Sequence, residues 1–281
     1  HARQTGGGSA GNTVVAFAQF GGSAFYSCRV ADDALGHFYA DDLHTNGVDS
    51  NLTQPHQGLA TGATTGSCLV LVTPDAERTM CTYLGTTADL DEKALNLDAI
   101  ASAGVYYMEG YLAASQTGLA AAMAGRAHAV ANQVPLALTL SDVSMINFCR
   151  AGLDAMLGDG VDYLFCNEEE AQVWCGTSDL LGITQTMGTL AKTVCLTRGA
   201  KGTLVIQGDQ VQDVPGFPIK ALDANGAGDM FAGAFLFGIS QNMTVGQAAS
   251  LANKAAAAVV AQYGNRLTRE KVQTILASTT A

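Results

Sequence analysis

Hydrophobic positions along the chain follow two patterns, one with the spacing of helices and one with the short apolar runs of buried strands. The helical spacing predicts helices over residues 9–20, 33–46, 117–131, 226–237 and 245–262, and a helical stretch that ends near residue 157. The apolar runs predict strands over residues 23–30, 64–73, 78–85, 105–109, 136–139, 163–166, 193–197 and 203–206. Ser9 or Asn12 is the expected cap of the first helix, since either side chain can accept a hydrogen bond from a free backbone N–H. Strands that alternate with helices are typical of α/β proteins.

Residues 64–85 depart from this alternation, because two strand-like runs are separated only by Pro74-Asp75-Ala76-Glu77. Such a short connection predicts a hairpin and not a βαβ unit. We therefore predict a three-layer α/β/α fold with a doubly wound, mostly parallel sheet, formed by residues 1–48 and 88–281. Residues 49–87 are expected to form a small β-strand lid. No strand-like run precedes the first glycine cluster, so one N-terminal strand of the body is expected to be absent from this sequence.

Composition narrows the class of protein. The chain of 281 residues is 48% hydrophobic and only 14% charged, which argues against a disordered chain. Its net charge of −11 argues against general binding to nucleic acid or anionic membranes, which depends on excess Lys and Arg. The longest apolar stretch, residues 230–239, is too short to span a bilayer. Seven scattered cysteines without a CxxC pair argue against a zinc or redox site and predict reduced thiols in a cytoplasmic protein.

The segment Asp223-Ala-Asn-Gly-Ala-Gly-Asp229 leads directly into an apolar helix. Its small residues leave the backbone N–H groups at the helix start uncovered, where they and the helix dipole can hold an anion. A carboxylate beside that anion, Asp229, can accept a proton from an attacking hydroxyl. The residues alone leave a second interpretation equally open, in which Asp229 only stabilises the helix dipole and the glycines only form a tight turn.

Two further polar segments follow predicted strands. Asn167-Glu-Glu-Glu170 follows the run 163–166, and Thr197-Arg-Gly-Ala-Lys-Gly202 follows the run 193–197. Open α/β sheets place ligands at the carboxyl ends of their strands, so both segments are candidates for a binding site. An ordinary acidic helix start and an ordinary hairpin turn are the structural alternatives. Glu109, which ends the run 105–109, is a further candidate for the site or equally an ordinary polar residue.

The glycines near the start match a dinucleotide-binding fingerprint. Gly6, Gly8 and Gly11 have its spacing, and Asp32 follows about 20 residues later. The fingerprint also requires a strand before the first glycine, and no apolar run precedes Gly6. An NAD-dependent oxidoreductase that uses residues 6–11 is therefore an alternative and not the favoured interpretation.

These motifs together resemble those of the ribokinase-like (PfkB) kinases, in the same order, from about Gly6 to about Leu267. The segment 223–229 is similar to the family signature D-T-x-G-A-G-D, with Ala224 in place of Thr. The resemblance implies that Asp229 is the catalytic base. It implies an anion hole for the transition state, formed by Gly226, Ala227 and Gly228. The replacement by Ala224 removes a hydroxyl but no proposed catalytic group.

The resemblance also implies binding residues. The acceptor site would contain Gly7, Gly8 and Asn12 of a G-G-x-x-x-N motif, with Glu109 as the candidate from its strand end. The ATP site would contain Thr197, Gly199 and Gly202 of a T-x-G-x-x-G motif, with Asn253 at the adenine. Asn167 and Glu170 of an N-x-x-E motif would position Mg²⁺, mostly through water, and Asp223, Asn225 and Gly264 would bind a monovalent cation such as K⁺.

The expected function is that of an ATP-dependent kinase that phosphorylates a primary hydroxyl of a sugar or nucleoside. Residues 65–79 and the Gly-Gly-Gly-Ser start are similar to the adenosine kinase-like branch, while ribose, fructose and other furanoses stay open as acceptors. The exposed hairpin lid is a candidate surface for a homodimer. The alternatives from other classes are the NAD-dependent oxidoreductase and a non-catalytic nucleotide- or sugar-binding protein on the kinase fold.

Overall fold

The computed structural model describes residues 4–52, 58–72 and 78–278. In these residues the strands are β1 Ala24–Tyr26, β2 Val48–Ser50, β3 Ser67–Val72, β4 Arg78–Tyr83, β5 Tyr106–Glu109, β6 Leu136–Thr139, β7 Val161–Asn167, β8 Ala191–Thr197, β9 Thr203–Gln207 and β10 Gln210–Val214. The helices are α1 Ser9–Phe20, α2 Ala34–Thr45, α3 Leu97–Ala101, α4 Gln116–Ala131, α5 Val143–Leu157, α6 Glu168–Cys175, α7 Leu180–Met187, α8 Ala227–Ser240, α9 Val245–Val260 and α10 Arg269–Ala277.

A six-stranded sheet in the order β10-β9-β8-β7-β6-β5 forms the centre of the molecule. The neighbours from β5 to β8 are parallel, and β9 and β10 are antiparallel additions at one edge. Parallel neighbours need a crossover connection, which α4, α5 and the pair α6–α7 supply. The predicted mostly parallel α/β sheet is confirmed.

Helices cover both faces of this sheet. The crossover helices α4 to α7 pack on one face, against alternate strand residues such as Leu138 and Leu164. Helices α1, α8, α9 and α10 pack on the other face, against Ala137 and Phe165. Because side chains alternate between the faces of a strand, each central strand is apolar on both sides, as expected of a buried parallel sheet. The predicted three-layer arrangement is therefore confirmed.

The strand predicted over residues 23–30 is shorter than expected. Only Ala24–Tyr26 form a strand, β1, which pairs in parallel with β2 outside the central sheet. Beyond it, the Asn51 side chain accepts a hydrogen bond from Cys28 N and donates one to Cys28 O, both at 2.8 Å. A side-chain amide therefore satisfies backbone groups that a longer strand would have paired with another strand.

The predicted hairpin lies in β3 and β4, which pair in antiparallel register from Ser67 with Tyr83 to Val72 with Arg78. The predicted turn at residues 74–77 lies outside the described residues. Next to the hairpin, Thr65 donates a backbone and a side-chain hydrogen bond to Asp33, at 2.8 and 2.7 Å. These bonds attach one end of the hairpin to the start of α2. The division of the chain into a body and a lid over residues 49–87 stays a prediction.

The first helix has its predicted bounds but not its predicted cap. Gly8 occupies the N-cap position with φ of +84°, and no side chain caps the helix. The side chains of Ser9 and Asn12 are turned towards Asp229 of α8 instead.

Within the described residues, no helix is both long and apolar enough to cross a membrane.

Helices α1 and α8 approach each other closely at Gly233. A Cβ atom at Gly233 would lie 2.5 Å from Thr13 O and 2.8 Å from the Cβ atom of Ala16. The absence of a side chain therefore sets the distance between the two helices, and with it the distance between their N-termini.

We predict that Gly233→Ala lowers the free energy of unfolding by about 1–3 kcal/mol, because the helices must separate to admit the methyl group. Urea unfolding followed by circular dichroism measures this change. Gly182→Ala in α7 is the matched control, since its nearest atoms are side-chain atoms at 3.3 and 3.7 Å. The control should be neutral or slightly stabilising, because Ala favours helices. Equal stability of both variants and the wild type would contradict the close contact.

Candidate active site

Asp229 lies in the first turn of α8 and accepts two hydrogen bonds from α1. Ser9 Oγ donates to Asp229 Oδ1 and Asn12 Nδ2 donates to Asp229 Oδ2, both at 2.8 Å. Burial of the carboxyl group raises the pKa of Asp229 to about 6, while the bonds from Asn12 and Ser9 and the charge of Arg266 lower it. The residue keeps partial exposure. Asp229 is therefore a carboxyl group that titrates close to neutral pH and that a solute can approach, which suits a general base.

Glu109 at the end of β5 lies beside the start of α1. Ala10 N donates to Glu109 Oε2 at 2.7 Å. Burial raises the pKa of Glu109 to about 7, the bond from Ala10 lowers it, and the charge of Asp229 raises it. Two carboxyl groups with raised pKa values therefore meet at the start of α1, an arrangement more frequent in functional sites than elsewhere.

The predicted acceptor residues belong to this group. Gly8 has φ of +84°, which residues with side chains rarely adopt, and a Cβ atom at Gly7 would meet no atom of the described residues within 4 Å, so the loop borders open space. Asn12 is buried and bonds to Asp229. The structure thus brings together Gly7, Gly8, Asn12, Glu109 and Asp229, which the sequence placed in three separate segments.

The glycines before α8 form a bare helix start. Gly226 is the N-cap residue with φ of +76°, and no side chain caps the helix. A Cβ atom at Gly226 would lie 2.4 Å from Asn265 O, whereas one at Gly228 would meet nothing within 4 Å. Gly226 is therefore required by a close backbone contact, and Gly228, next to Ala227 in the first turn, leaves room for an anion at the positive end of the helix.

Asp223 joins the segment before α8 to the loop after α9. Its Oδ1 accepts from Asn225 N at 2.9 Å, and its Oδ2 accepts from Gly264 N at 3.1 Å. The residue is only 3% exposed. The three residues predicted to bind a monovalent cation are thus adjacent, although Gly264 lies 41 positions from Asp223.

Asn167 and Glu170 bind each other in a capping box at the start of α6. Glu170 N donates to Asn167 Oδ1 at 2.8 Å, and both Glu170 oxygens accept from Asn167, its N at 3.1 Å and its Nδ2 at 2.7 Å. Burial raises the pKa of Glu170 to about 7, against the bond from Asn167, and the charge of Asp142 raises it further. Asn167 and Glu170 therefore stabilise the start of α6 whether or not they also bind a ligand.

The donor set at Asn167 and Glu170 fits magnesium in chemistry, because amide and carboxylate oxygens are the hard ligands that Mg²⁺ prefers. Their polar atoms already bind each other, which favours contact through water. The part of the chain that the structure describes contains no group of three or more His, Cys, Asp or Glu arranged to hold a metal ion. In the sheet, Asn167 pairs with Thr197, so this segment adjoins the next motif.

The segment from Thr197 to Gly202 is a tight turn between β8 and β9. Arg198 N donates to Gly202 O at 2.7 Å, and Gly199 and Gly202 have φ of +56° and +93°. A Cβ atom at Gly202 would lie 2.2 Å from Val214 O. The hairpin alternative is thus correct as a description of the backbone, and contact of Thr197, Gly199 and Gly202 with phosphates stays a prediction.

Asn253 ties α9 to the antiparallel edge of the sheet. Its Nδ2 donates to Val214 O at 3.1 Å and Pro215 O at 3.2 Å, and its Oδ1 accepts from Thr203 Oγ1 at 2.7 Å. Both amide hydrogens are therefore committed within the protein. Contact of Asn253 with adenine stays a prediction. If its amide donated to adenine, it would have to give up its hydrogen bond to Val214 O or to Pro215 O.

Sequence reasoning missed Ser9, Asn265 and Arg266, which all touch the group around Asp229. Ser9 occupies a variable position of its motif. Asn265 Nδ2 and Arg266 Nε both donate to Asn12 Oδ1 at 2.9 Å, from the loop after α9. Nothing in the pattern of that loop distinguishes these side chains from exposed polar residues, since their partners lie more than 250 positions away.

The dinucleotide interpretation of Gly6, Gly8 and Gly11 finds no support in the backbone. Residues 4–8, directly before α1, form no strand. The strand–turn–helix unit that the fingerprint requires is therefore not formed by the described residues.

Comparisons with known proteins agree on one group of enzymes. The family model of the pfkB family carbohydrate kinases matches residues 1–271. An adenosine kinase from Schizophyllum commune is 27% identical over 274 residues, which cover 89% of this chain and 77% of that protein. Fructokinase-2 from Solanum lycopersicum is 28% identical over 248 residues, covering 85% and 74%. The crystal structure of adenosine kinase from Sinorhizobium meliloti superposes with a TM-score of 0.93 at 30% identity, over 100% of this chain and 85% of that one.

We predict that Asp229→Asn raises the free energy of unfolding at pH 8 by about 1–2 kcal/mol. Folding raises the pKa of Asp229 from 3.8 to about 6, so the fold disfavours the charged form. This penalty is absent below the unfolded pKa and complete above the folded one. Asn can keep both partners, by accepting from Asn12 and donating to Ser9.

Urea unfolding at pH 8 and pH 5 measures the effect, which should shrink at the lower pH. Asp209→Asn in the exposed turn before β10 is the matched control and should show no such dependence on pH. A gain that is the same at both pH values would refute the raised pKa.

Proposed function

This chain belongs to the pfkB family of carbohydrate kinases, and from that premise we propose that it transfers the γ-phosphate of ATP to a primary hydroxyl of a sugar or nucleoside. The observation that carries the proposal is the environment of Asp229. Its carboxyl group accepts a hydroxyl hydrogen from Ser9 and has a pKa raised to about 6. Membership of a kinase family also leaves the oxidoreductase alternative without support.

We place the acceptor hydroxyl next to the Ser9 hydroxyl, which already binds Asp229. In the proposed complex, the primary hydroxyl of the acceptor donates to Asp229 Oδ1, shared with Ser9 or in its place. Asn12 holds the other oxygen. Backbone and side-chain groups of Gly7, Gly8 and Glu109 bind further hydroxyls, which both donate and accept hydrogen bonds.

In the proposed reaction, proton transfer to Asp229 accompanies transfer of the γ-phosphoryl group. Asp229 takes the hydroxyl proton while the acceptor oxygen bonds to the γ-phosphorus, and the bond from that phosphorus to the bridging oxygen breaks to release ADP. Negative charge that develops on the phosphoryl oxygens is stabilised at the start of α8, around Gly226, Ala227 and Gly228. Thr197, Gly199 and Gly202 hold the remaining phosphates of ATP, and Asn253 lies on the side of the adenine.

Two kinds of cation fit the proposal. Asn167 and Glu170 would hold Mg²⁺ through water, and Mg²⁺ neutralises phosphate charge when bound. Asp223, Asn225 and Gly264 would hold a monovalent cation such as K⁺, since hydrogen bonds already join their two loops.

All seven cysteines are free thiols, which supports a cytoplasmic location.

The acceptor is the finer part of the proposal. Relatives of similar identity are named adenosine kinase and fructokinase, so both a nucleoside and a furanose sugar are candidates. We favour a nucleoside, because of the similarity to an adenosine kinase over the whole chain.

A screen for ADP release tests the function. With MgATP, adenosine, other nucleosides, ribose and fructose are supplied in turn, with and without K⁺. We expect turnover with one acceptor class, and Asp229→Asn should lower kcat by about 10²–10⁴-fold, since a general base contributes that much. Asp209→Asn is again the matched control and should retain wild-type kcat. Wild-type turnover by Asp229→Asn would refute the base assignment, and ATP binding without ADP release for all acceptors would favour the non-catalytic alternative.

We also propose that the hairpin lid mediates a homodimer. Leu69, Leu71 and Tyr83 lie on one face of the hairpin and are 61%, 50% and 58% exposed. Apolar side chains grouped in this way on a two-stranded sheet favour a partner surface.

Sedimentation velocity checks this part of the proposal. The wild type should form a dimer at micromolar concentration, and Leu69→Lys should shift it towards the monomer because a charge would be buried at the interface. Gln207→Lys is the matched control. Gln207 is an exposed residue at the end of β9, so this variant should remain dimeric. A wild type that is monomeric at all concentrations would refute the dimer.

A further inference from the structure

Arg266 is a buried cation close to the proposed catalytic base. Its side chain is 9% exposed and lies in the loop between α9 and α10. Arg266 Nη1 forms an ion pair with Asp42 Oδ2 of α2. Its Nη2 is buried and has no hydrogen-bond partner. Burial of a guanidinium group is costly unless its donors are bonded, so the position calls for an explanation beyond a surface ion pair.

The side chains of Arg266 and Asn265 together determine which way the amide of Asn12 points. Asn12 Oδ1 accepts from both Arg266 Nε and Asn265 Nδ2, at 2.9 Å each. A flipped amide would place its NH₂ group against these two donors and its oxygen against the Asp229 carboxylate. Two donor–donor contacts and one oxygen–oxygen contact would replace three hydrogen bonds, so the observed orientation is strongly favoured.

We propose that Arg266 is a positioning residue for phosphoryl transfer, which acts through Asn12 on the orientation of the Asp229 carboxylate. The proposal rests on the proposed function, in which Asp229 is the base. Asn12 Nδ2 donates to Asp229 Oδ2 at 2.8 Å, so the acceptor hydroxyl is expected at Oδ1, where it shares or replaces the bond from Ser9. Arg266, together with Asn265, thus favours Oδ1 as the oxygen that receives the proton.

The charge of Arg266 adds a second effect on the same carboxylate. The pKa of Asp229 is raised by burial and lowered by the bonds from Asn12 and Ser9 and by the charge of Arg266. The other titratable groups whose own pKa values respond to the charge of Asp229 are Glu109, Tyr107 and Tyr111. Arg266 is the positive charge in this set, so its removal favours the protonated, inactive form of Asp229.

A purely structural role is the competing explanation, because the ion pair also attaches the loop after α9 to α2. Removal of Arg266 alone would leave Asp42, whose side chain is 21% exposed, without its partner and would confuse loss of folding with loss of positioning. The test therefore uses the double variant Arg266→Gln/Asp42→Asn, which removes both charges and keeps polar groups in both places. Asp42→Asn alone is the matched control, since an Asn side-chain oxygen can still accept from Arg266 Nη1, and the charge of Arg266 and its bond to Asn12 are kept.

The experiment measures kcat, KM for ATP and the dependence of kcat on pH, with adenosine and with fructose as acceptors. For the double variant we expect kcat to fall by roughly 10- to 100-fold with KM for ATP unchanged, as for misplacement of a catalytic group. Activity is lost as pH falls through the pKa of the base, so the acidic limb should move to higher pH. For Asp42→Asn we expect near wild-type kcat and an acidic limb at the same or lower pH, because Arg266 loses a compensating negative charge.

A shift of the acidic limb to higher pH in the double variant, without such a shift in Asp42→Asn, would not arise from a structural role. Unchanged kcat and an unchanged acidic limb in the double variant would overturn the proposal if Asp229→Asn still lowers kcat as expected. Wild-type kcat in Asp229→Asn would instead refute the base assignment on which the proposal rests. If unfolding curves show that the double variant does not fold, Arg266→Lys decides the question. Lys keeps the charge but not the planar Nε donor, so lowered kcat with an unchanged limb supports positioning, and wild-type kcat overturns it.

Discussion

The candidate site depends on the contact between the starts of two helices that lie far apart in the chain. Ser9 and Asn12 at the start of α1 reach Asp229 at the start of α8, over 220 and 217 positions. Both helices present their positive ends at this point, and neither end is capped by a side chain. The two helix dipoles therefore favour negative charge at a point where burial raises the pKa of Asp229. The close approach at Gly233 keeps the two ends together.

Much of the fold could be predicted from apolar spacing alone. Helix 9–20 and strand 136–139 have their predicted bounds, because their apolar residues face a core continuously and glycine or proline marks a boundary. Elements whose pattern is mostly polar, such as β10 and α10, were not predicted, since few of their side chains are buried. Strand 23–30 was overestimated because no pattern indicates that the Asn51 amide replaces a neighbouring strand.

The motifs of the candidate site could be predicted from the sequence, but the hydrogen bonds between them could not. The residues around Asp223, Asn167 and Thr197 are recognisable because backbone geometry and chemistry both require small or acidic residues there. The same residues also build local structure, as the capping box of Asn167 with Glu170 shows. The functional and structural interpretations are therefore compatible, and the motif does not choose between them. The contacts of Ser9, Asn265 and Arg266 arise only from the tertiary fold, so a linear pattern contains no record of them.

The order of elements along the chain has a consequence for synthesis on the ribosome. One helical layer, α4 to α7, comes from the middle of the chain and packs on strands that are its sequence neighbours. The opposite layer joins α1, from the beginning, to α8, α9 and α10, from the end. A growing chain can thus complete the first layer early, but it must hold α1 without its partners until the last helices emerge. The group around Asp229 therefore cannot form until α8 has been synthesised, because Ser9 and Asn12 bind a residue that lies 220 and 217 positions further along the chain.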